Sequence, residues 1–289
     1  MEDMQDLIER LNQTGKRLSK GHRYIAEYIV QNYDKAVFMT ASTLGQKVGV
    51  SESTVVRFAY ALGYDGYPQL QRAMQELVRH RLTAVQRFEM TSNLSQNQVL
   101  QAVLKGDIQN IRSTMEQMDE SRFDNAVSKI VSARSIYVMG VRSAAPLAQF
   151  LGYYLHFVFD NVHVASNGAI DILEKISRIN ESDVMIGISF PRYSTRTIDS
   201  MKYALSCGAQ VIGITDGPMS PLTEVSSECL MARTDMASFV DSLAAPLSLI
   251  NALIVSVSLR RRDELSQHLS RLEDLWQENN IYLQQRGDE

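Results

Sequence analysis

From the amino end, the apolar positions of this chain first recur at helical spacing and only later gather into short runs. Leu7, Ile8 and Leu11 predict a first short helix that ends near Gly15. Ser19 caps a second, whose stripe is Ile25, Tyr28 and Ile29 and which runs as far as Tyr33. A short helix bearing Leu44 and Val48 stops at Gly49, Val50 plugs the turn, and Ser51 caps a helix that runs to Leu62-Gly63. Tyr64-Asp65-Gly66-Tyr67-Pro68 then turns the chain into a helix from Gln69 to about Arg81. This half is all-α. The tight Gly-containing connection at Gly49 gives its middle pair the layout of a helix-turn-helix.

From Leu82 to Gln98 the chain turns polar, so the sequence divides into a helical domain over 1–81, a linker over 82–98 and a second domain over 99–289. Leu100, Val103, Leu104, Ile108, Ile111 and Met115 then form the apolar stripe of a long amphipathic helix, followed by another from Glu120 to Val131. Beyond it, short runs rich in β-branched residues predict strands at Ser135–Met139, Val162–Val164, Val184–Ile188, Gln210–Thr215 and Glu228–Met231. Helical spacing returns between them over Leu147–Val158, Ile170–Ile179 and Ile198–Leu205, and after them over Leu243–Arg260. Such alternation predicts an α/β domain, a parallel sheet flanked by helices with right-handed crossovers. The closing segment, Asp263 to Gln285, carries Leu265, Leu269, Leu272 and Trp276 at heptad-like spacing. That seam serves packing on its own domain or dimerisation equally well.

Two strand-to-helix loops repeat one chemical logic. Gly140-Val141-Arg142-Ser143 follows the first strand, and Ser189 through Arg192, Ser194, Thr195, Arg196 and Thr197 follows the third. Each brings an arginine and a serine at the N-cap, ahead of first-turn amides that have no intrahelical acceptor. Helix starts of this kind bind small anions, phosphate above all, and both loops open at the carboxyl ends of their strands, where parallel sheets take ligands. Gly140, Arg142, Ser143, Ser189, Arg192, Ser194, Thr195 and Thr197 are therefore the candidate ligand-binding residues.

On a helical wheel the second helix of the helix-turn-helix gathers Val55, Phe58, Ala59 and Leu62 on one face. Ser53, Arg57 and Tyr60 lie opposite, with Thr54 toward the side. Small hydroxyls, an arginine and an aromatic suit base edges in a major groove, so Lys47, Ser51, Ser53, Thr54, Arg57 and Tyr60 are the candidate DNA-binding residues. Lys16, Arg17, Lys20, His22 and Arg23 cluster ahead of the motif, where they can meet phosphates.

Charge adds a little. Residues 1–85 carry 11 Lys and Arg against 9 Asp and Glu, whereas residues 86–289 carry 18 against 24. The basic excess thus sits in the half that holds the motif. No run approaches the ~20 apolar residues of a membrane span, and the acidic Met1–Asp6 lacks a signal-peptide core, so a cytoplasmic protein without membrane contact is expected. Cys207 and Cys229 have no metal-like spacing and are expected as free thiols, with no metal or cofactor.

With both halves read, the chain resembles the RpiR-type family of bacterial transcription regulators. The resemblance rests on Val50 to Phe58 with Leu62-Gly63-Tyr64-Asp65-Gly66-Tyr67-Pro68, and on the Gly140–Ser143 and Ser189–Thr197 loops. It rests also on Gly208–Asp216 with Ser220-Pro221-Leu222. It implies an N-terminal helix-turn-helix domain followed by a sugar-isomerase-type (SIS) domain that senses a phosphosugar. By that resemblance Ser143, Ser189, Ser194 and Thr197 line the phosphosugar site, and Ser53, Thr54 and Arg57 lie on the DNA-facing helix. The family's loop is a shorter Ser-x-Ser-Gly-x-Thr; here Phe190-Pro191-Arg192 reads as extra residues and Thr195 stands in place of the glycine. The bulkier loop bearing Arg192 then either favours a more acidic effector, such as a sugar-acid phosphate, or crowds the site shut. The expected partners are a double-stranded DNA operator, a phosphosugar effector and further copies of the chain, as a homodimer or homotetramer. The alternative is an aldose–ketose isomerase with a helical extension, for which His163, Asp171, Glu174 and Asp216 are the available acid–base groups.

Overall fold

A computed structural model describes residues 19–78, 83–89, 96–166, 172–235 and 240–283. It divides into two compact units, Met1–Asn97 and Gln98–Glu289. The expected helix at Leu7–Leu11, with Lys16 and Arg17, lies outside the described residues.

The first unit is helical. Helix α1 (Lys20–Gln31) starts where Ser19 Oγ accepts the amide of His22, and it buries Ile25 and Ile29. It stops at Asn32, whose extended φ of −133° breaks the run, so Tyr33 belongs to a separate short helix α2 (Tyr33–Ala36). Helix α3 (Ala41–Val48) ends on Gly49 at a φ of 77°, a left-handed conformation that costs a residue without Cβ little. Helix α4 (Glu52–Ala61) starts on Ser51. Helix α5 (Tyr67–Val78) begins two residues earlier than expected because Pro68 fits the first turn, where its missing N–H costs nothing. Its Tyr67 hydroxyl donates to the carbonyl of Met39 at 2.7 Å, and burial pushes that phenol up to about 12. Ile25, Leu44, Val55, Phe58, Ala59, Leu62 and Leu70 close the core between these helices. The stretch expected as a polar linker holds a short helix, α6 (Ala84–Glu89), on the first unit's side of the division.

The second unit is α/β. After α7 (Val99–Gln117) and α8 (Glu120–Ser132), five strands form one parallel sheet: β1 (Ile136–Met139), β2 (Val162–Ala165), β3 (Val184–Ile188), β4 (Gln210–Thr215) and β5 (Glu228–Met231). Their spatial order is β2-β1-β3-β4-β5. The helices between and after them are α9 (Ala145–Leu155), α10 (Ile172–Ile176), α11 (Thr195–Ser206), α12 (Ala244–Arg260) and α13 (Arg262–Glu278). Alternate strand residues point to opposite faces. Val138, Ile186 and Ile212 meet α8, α9 and α12 on one side, and Tyr137, Met185 and Val211 meet α10 and α11 on the other. At the amino ends of β1 and β3, Arg134 grips the fully buried carboxylate of Asp183 through two nitrogens, at 2.9 and 2.7 Å. The opposite ends of those strands are left to the two loops.

Residues expected to behave alike part company here. The seam of α13 turns inward, with Trp276 edge-on to Phe157 at 6.4 Å. In α7 the expected apolar stripe faces solvent, whereas Asn110 and Thr114 are its buried positions.

Candidate functional site

The sheet order runs outward in two directions from β1 and β3, so the chain leaves the carboxyl end of β1 toward β2 and that of β3 toward β4. A crevice opens at such a switch point, where ligands of doubly wound sheets sit. The two loops expected from sequence flank it, because β1 and β3 are neighbours with Met139 opposite Gly187.

The first loop is tight. Gly140 is buried, and a Cβ on it would stand 2.9 Å from the carbonyl oxygen of Ala144 and 3.0 Å from Ala148. Arg142 follows at a φ of 57°, and Arg142 and Ser143 are both exposed in a single 3-10 turn that leads into α9, so the expected serine cap is not made: Ala144 holds the N-cap position, without a side-chain bond. The second loop is braced from inside. Ser189 is buried, and its Oγ accepts the amide of Ser194 at 3.1 Å. Of the three residues read as extra, Phe190 joins the main core and Pro191 is buried, so packing absorbs these two. Arg192 comes next, exposed and at a φ of 66°.

Among the described non-glycine residues, Arg142 and Arg192 share a positive φ only with Asn280. The left-handed region costs an L-residue about 1–2 kcal/mol. One such residue in each of the two switch-point loops is strain of the kind that concentrates at functional sites. Sequence reading picked both arginines for their charge and had no signal for their backbone.

Ser194 caps α11, but loosely: its Oγ lies 3.5 Å from the amide of Thr197. Thr195 and Arg196 are exposed on the first turn. Thr197 is fully buried, and its hydroxyl has no hydrogen-bond partner. An unmet buried hydroxyl costs about 1–3 kcal/mol, so its presence in the first turn of the helix that follows the β3 loop calls for a reason.

A third loop, after β4, was not singled out as part of this site. The Tyr193 hydroxyl donates to Asp216 Oδ1 at 2.8 Å, and Thr215 Oγ1 lies 3.2 Å from the same oxygen and 2.7 Å from Ser220 Oγ. These bonds tie the Arg192 loop to the end of β4. The sequence signal was the hydroxyl-rich Thr215-Asp216 and Ser220 after a strand, which marks a loop that fastens others. Of the acid–base candidates for an isomerase, Asp216 is held by this network and Glu174 is exposed on α10. His163 stands exposed on the edge strand β2, stacked on Tyr137 at 4.8 Å. Asp171 lies outside the described residues.

In the first unit, Lys47, Ser53, Arg57 and Tyr60 are all exposed. Ser51 spends its hydroxyl on the cap, accepting the amide of Thr54 at 3.3 Å and pairing with Ser53 Oγ at 2.9 Å and Thr54 Oγ1 at 2.8 Å. Thr54 is half-buried, its methyl 3.3 Å from where a Cβ on Gly21 would stand, so it serves the α1–α4 contact as well as the surface. Arg57 Nε donates to the Ser53 carbonyl at 3.3 Å.

Comparison with known proteins gives these two sites their context. A family model described as a helix-turn-helix domain of the rpiR family matches residues 5–79, and a SIS domain model matches residues 129–256. The chain belongs to the RpiR-type family of transcriptional regulators. A relative of this regulator is the HTH-type transcriptional regulator HexR of Pseudomonas aeruginosa, 26% identical over 276 residues, covering 94% of this chain and 95% of that one. HexR of Escherichia coli is 23% identical over 288 residues, with 95% of each covered. Among solved structures, the sugar isomerase domain of an RpiR transcription factor from Sphaerobacter thermophilus superposes with a TM-score of 0.59 at 24% identity. It covers 61% of this chain and 99% of that one. The Vibrio vulnificus NanR protein complexed with ManNAc-6P superposes at 0.56 and 20% identity, covering 93% of this chain and 97% of its own. No helix among the described residues is long and apolar enough to cross a membrane.

Proposed function

We propose that this RpiR-type regulator binds a double-stranded DNA operator through the outer face of α4 and senses a phosphorylated sugar or sugar acid at the switch-point crevice. In this reading residues 1–81 form the DNA-binding domain and residues 99–289 the effector domain, and the protein acts in the cytoplasm as a homodimer or homotetramer. Lys47, Ser53, Arg57 and Tyr60 meet the DNA, with Ser51 and Thr54 holding the helix start that presents them. Gly140, Arg142, Ser143, Ser194, Thr195 and Thr197 surround the phosphate, with Ser189 fixing the loop from within. Arg192 faces a second anionic group.

The observation that carries this reading is the hydroxyl of Thr197, buried and unpartnered in the first turn of α11. A phosphoryl oxygen supplies the missing acceptor, and the helix dipole and first-turn amides favour the same charge. The complex of NanR with ManNAc-6P supports the ligand class. Arg142 and Arg192, both exposed beside one crevice, support an effector that carries a carboxylate besides its phosphate.

A panel of phosphosugars and sugar-acid phosphates, screened by thermal shift and then by gel shift on promoter DNA, tests it. A ligand bound only by the native state raises the unfolding midpoint, and allosteric coupling of about 1–3 kcal/mol alters DNA affinity roughly 5–150-fold. DNA binding that ignores every ligand raising the midpoint sinks the sensor reading. Turnover of any panel member that is lost in Glu174→Gln favours the isomerase.

A further inference from the structure

Helix α7 is turned inside out. Val99, Leu100, Val103, Leu104, Ile108, Ile111 and Met115 are all exposed, Leu100 at 66% and Met115 at 71%. The side that packs against the rest of its unit is polar. Asn110 Nδ2 donates to the carbonyl of Asp235 at 2.8 Å, and its Oδ1 accepts the Asp235 amide at 3.2 Å. Thr114 Oγ1 accepts the Arg233 amide at 2.9 Å, and Asp107 accepts the Ser242 hydroxyl at 2.6 Å. Specific bonds therefore fix the rotation of α7, and they hold its apolar face outward. Helix α12, which packs against α7, is apolar all round, a character that suits helices with no solvent face. It nevertheless exposes Val255 and Leu259.

We infer that the outward face of α7 is a self-association surface, covered by α7 of a second copy in an antiparallel pair. Three features select that occupant. Leu104, Ile108, Ile111 and Met115 follow one another at spacings of four, three and four, the seam that receives a helix of the same pattern. A twofold axis between Ile108 and Ile111 sets Leu104 opposite the partner's Met115, and it brings the flanking Lys105 of each copy beside Glu116 of the other. Opposite charges then meet at both ends of the pair. The seven side chains leave on the order of 600 Å² outward per copy, at the upper end of the largest patch a typical monomer exposes and approaching one partner's share, ~800 Å², of a standard interface. The surface rests on the proposed dimeric regulator, whose two recognition helices read two half-sites, and it names the contact that makes that dimer.

Light scattering on the size-fractionated full-length chain tests it. The wild type runs as a dimer or a multiple of one, and Ile108→Glu raises the dissociation constant at least a hundredfold. Lys105→Glu and Glu116→Lys each raise it several-fold, and the double exchange restores it. Every position changed is already exposed, and the charge exchange stands as the test should Ile108→Glu fail to fold. A wild-type dimer untouched by Ile108→Glu overturns the surface while leaving the dimeric reading intact. A wild-type monomer overturns both. Single charge variants that weaken the dimer without rescue in the double overturn the antiparallel pairing.

Discussion

The two capped helix starts of this protein look alike in sequence and differ in what their hydroxyls do. In the first unit Ser51-Glu52-Ser53-Thr54 opens α4, and in the second Ser194-Thr195-Arg196-Thr197 opens α11. At Ser51 the capping hydroxyl lies 2.9 Å from that of Ser53 and 2.8 Å from that of Thr54, and the first turn is complete in itself. At Ser194 the cap is stretched to 3.5 Å, and the last hydroxyl is buried with nothing to bond. A satisfied, exposed start is a surface that presents side chains. An unsatisfied, buried one awaits an acceptor from elsewhere.

The largest effect comes from crowding one tight turn in each unit. A Cβ on Gly45 would stand 2.8 Å from the Val50 carbonyl oxygen, and one on Gly140 stands 2.9 Å from that of Ala144. Gly45→Val and Gly140→Val each force backbone to move and should each cost about 1–3 kcal/mol or somewhat more. The single tryptophan, Trp276, belongs to the second unit. In urea, Gly140→Val should shift the fluorescence midpoint, whereas Gly45→Val should shift far-UV circular dichroism and leave fluorescence in place. Coincident shifts by both probes for both variants would mean that the units unfold together.

Thr→Val at the two matching positions should then give opposite signs. Thr54→Val removes a bonded hydroxyl and should destabilise by about 1 kcal/mol, whereas Thr197→Val removes an unmet one and should stabilise by a similar amount. The same Thr197→Val should abolish the effector-induced rise in the unfolding midpoint, which Thr54→Val leaves alone. A Thr197→Val protein that is less stable and still responds to effector would break the contrast between the two starts.

Smaller again is the relief of backbone strain in the crevice. Glycine at Arg142 or Arg192 removes a left-handed penalty of about 1–2 kcal/mol and adds unfolded-state freedom of roughly 0.5–1 kcal/mol. Each variant should therefore be neutral to slightly more stable, by no more than about 1.5 kcal/mol, while effector affinity falls at least tenfold in calorimetric titration. Loss of stability together with unchanged affinity would assign those conformations to folding alone.

Much of this was legible in advance, for physical reasons that differ by residue. Ser19, Ser51 and Ser194 marked helix starts because capping is local and needs no tertiary partner. The β1 and β3 loops were found because a run of β-branched residues followed by Gly or Ser has few other meanings. Which way the apolar face of α7 turns was not legible, because periodicity reports only that apolar residues share a side, and the polar partner of Asn110 lies 125 residues away. The same distance problem hid the Tyr193–Asp216 tie and the burial of Phe190, both settled by how β3 and β4 lie side by side. The positive φ of two arginines has no sequence signature at all.

The subtlest difference between the two starts is electrostatic, and it lies in α1. His22 stands with its ring 5.6 Å from that of Phe58, edge to face, beside the start of α4. Partial burial lowers its pKa first, and the nearby Arg57 guanidinium lowers it further. The folded protein therefore binds a proton at His22 less readily than the unfolded chain. Stability from this group is intact above the ordinary histidine value of about 6.5, and it declines as pH falls from there through the lower folded value. Protonation also sets a second cation beside Arg57, so the α4 surface gains positive charge in the same window. Acid titration of the first unit's unfolding should show a shallow loss of stability below about pH 6.5. His22→Gln should flatten it, and Arg57→Ala should move its midpoint upward. A slope that survives His22→Gln would assign the acid sensitivity to other groups.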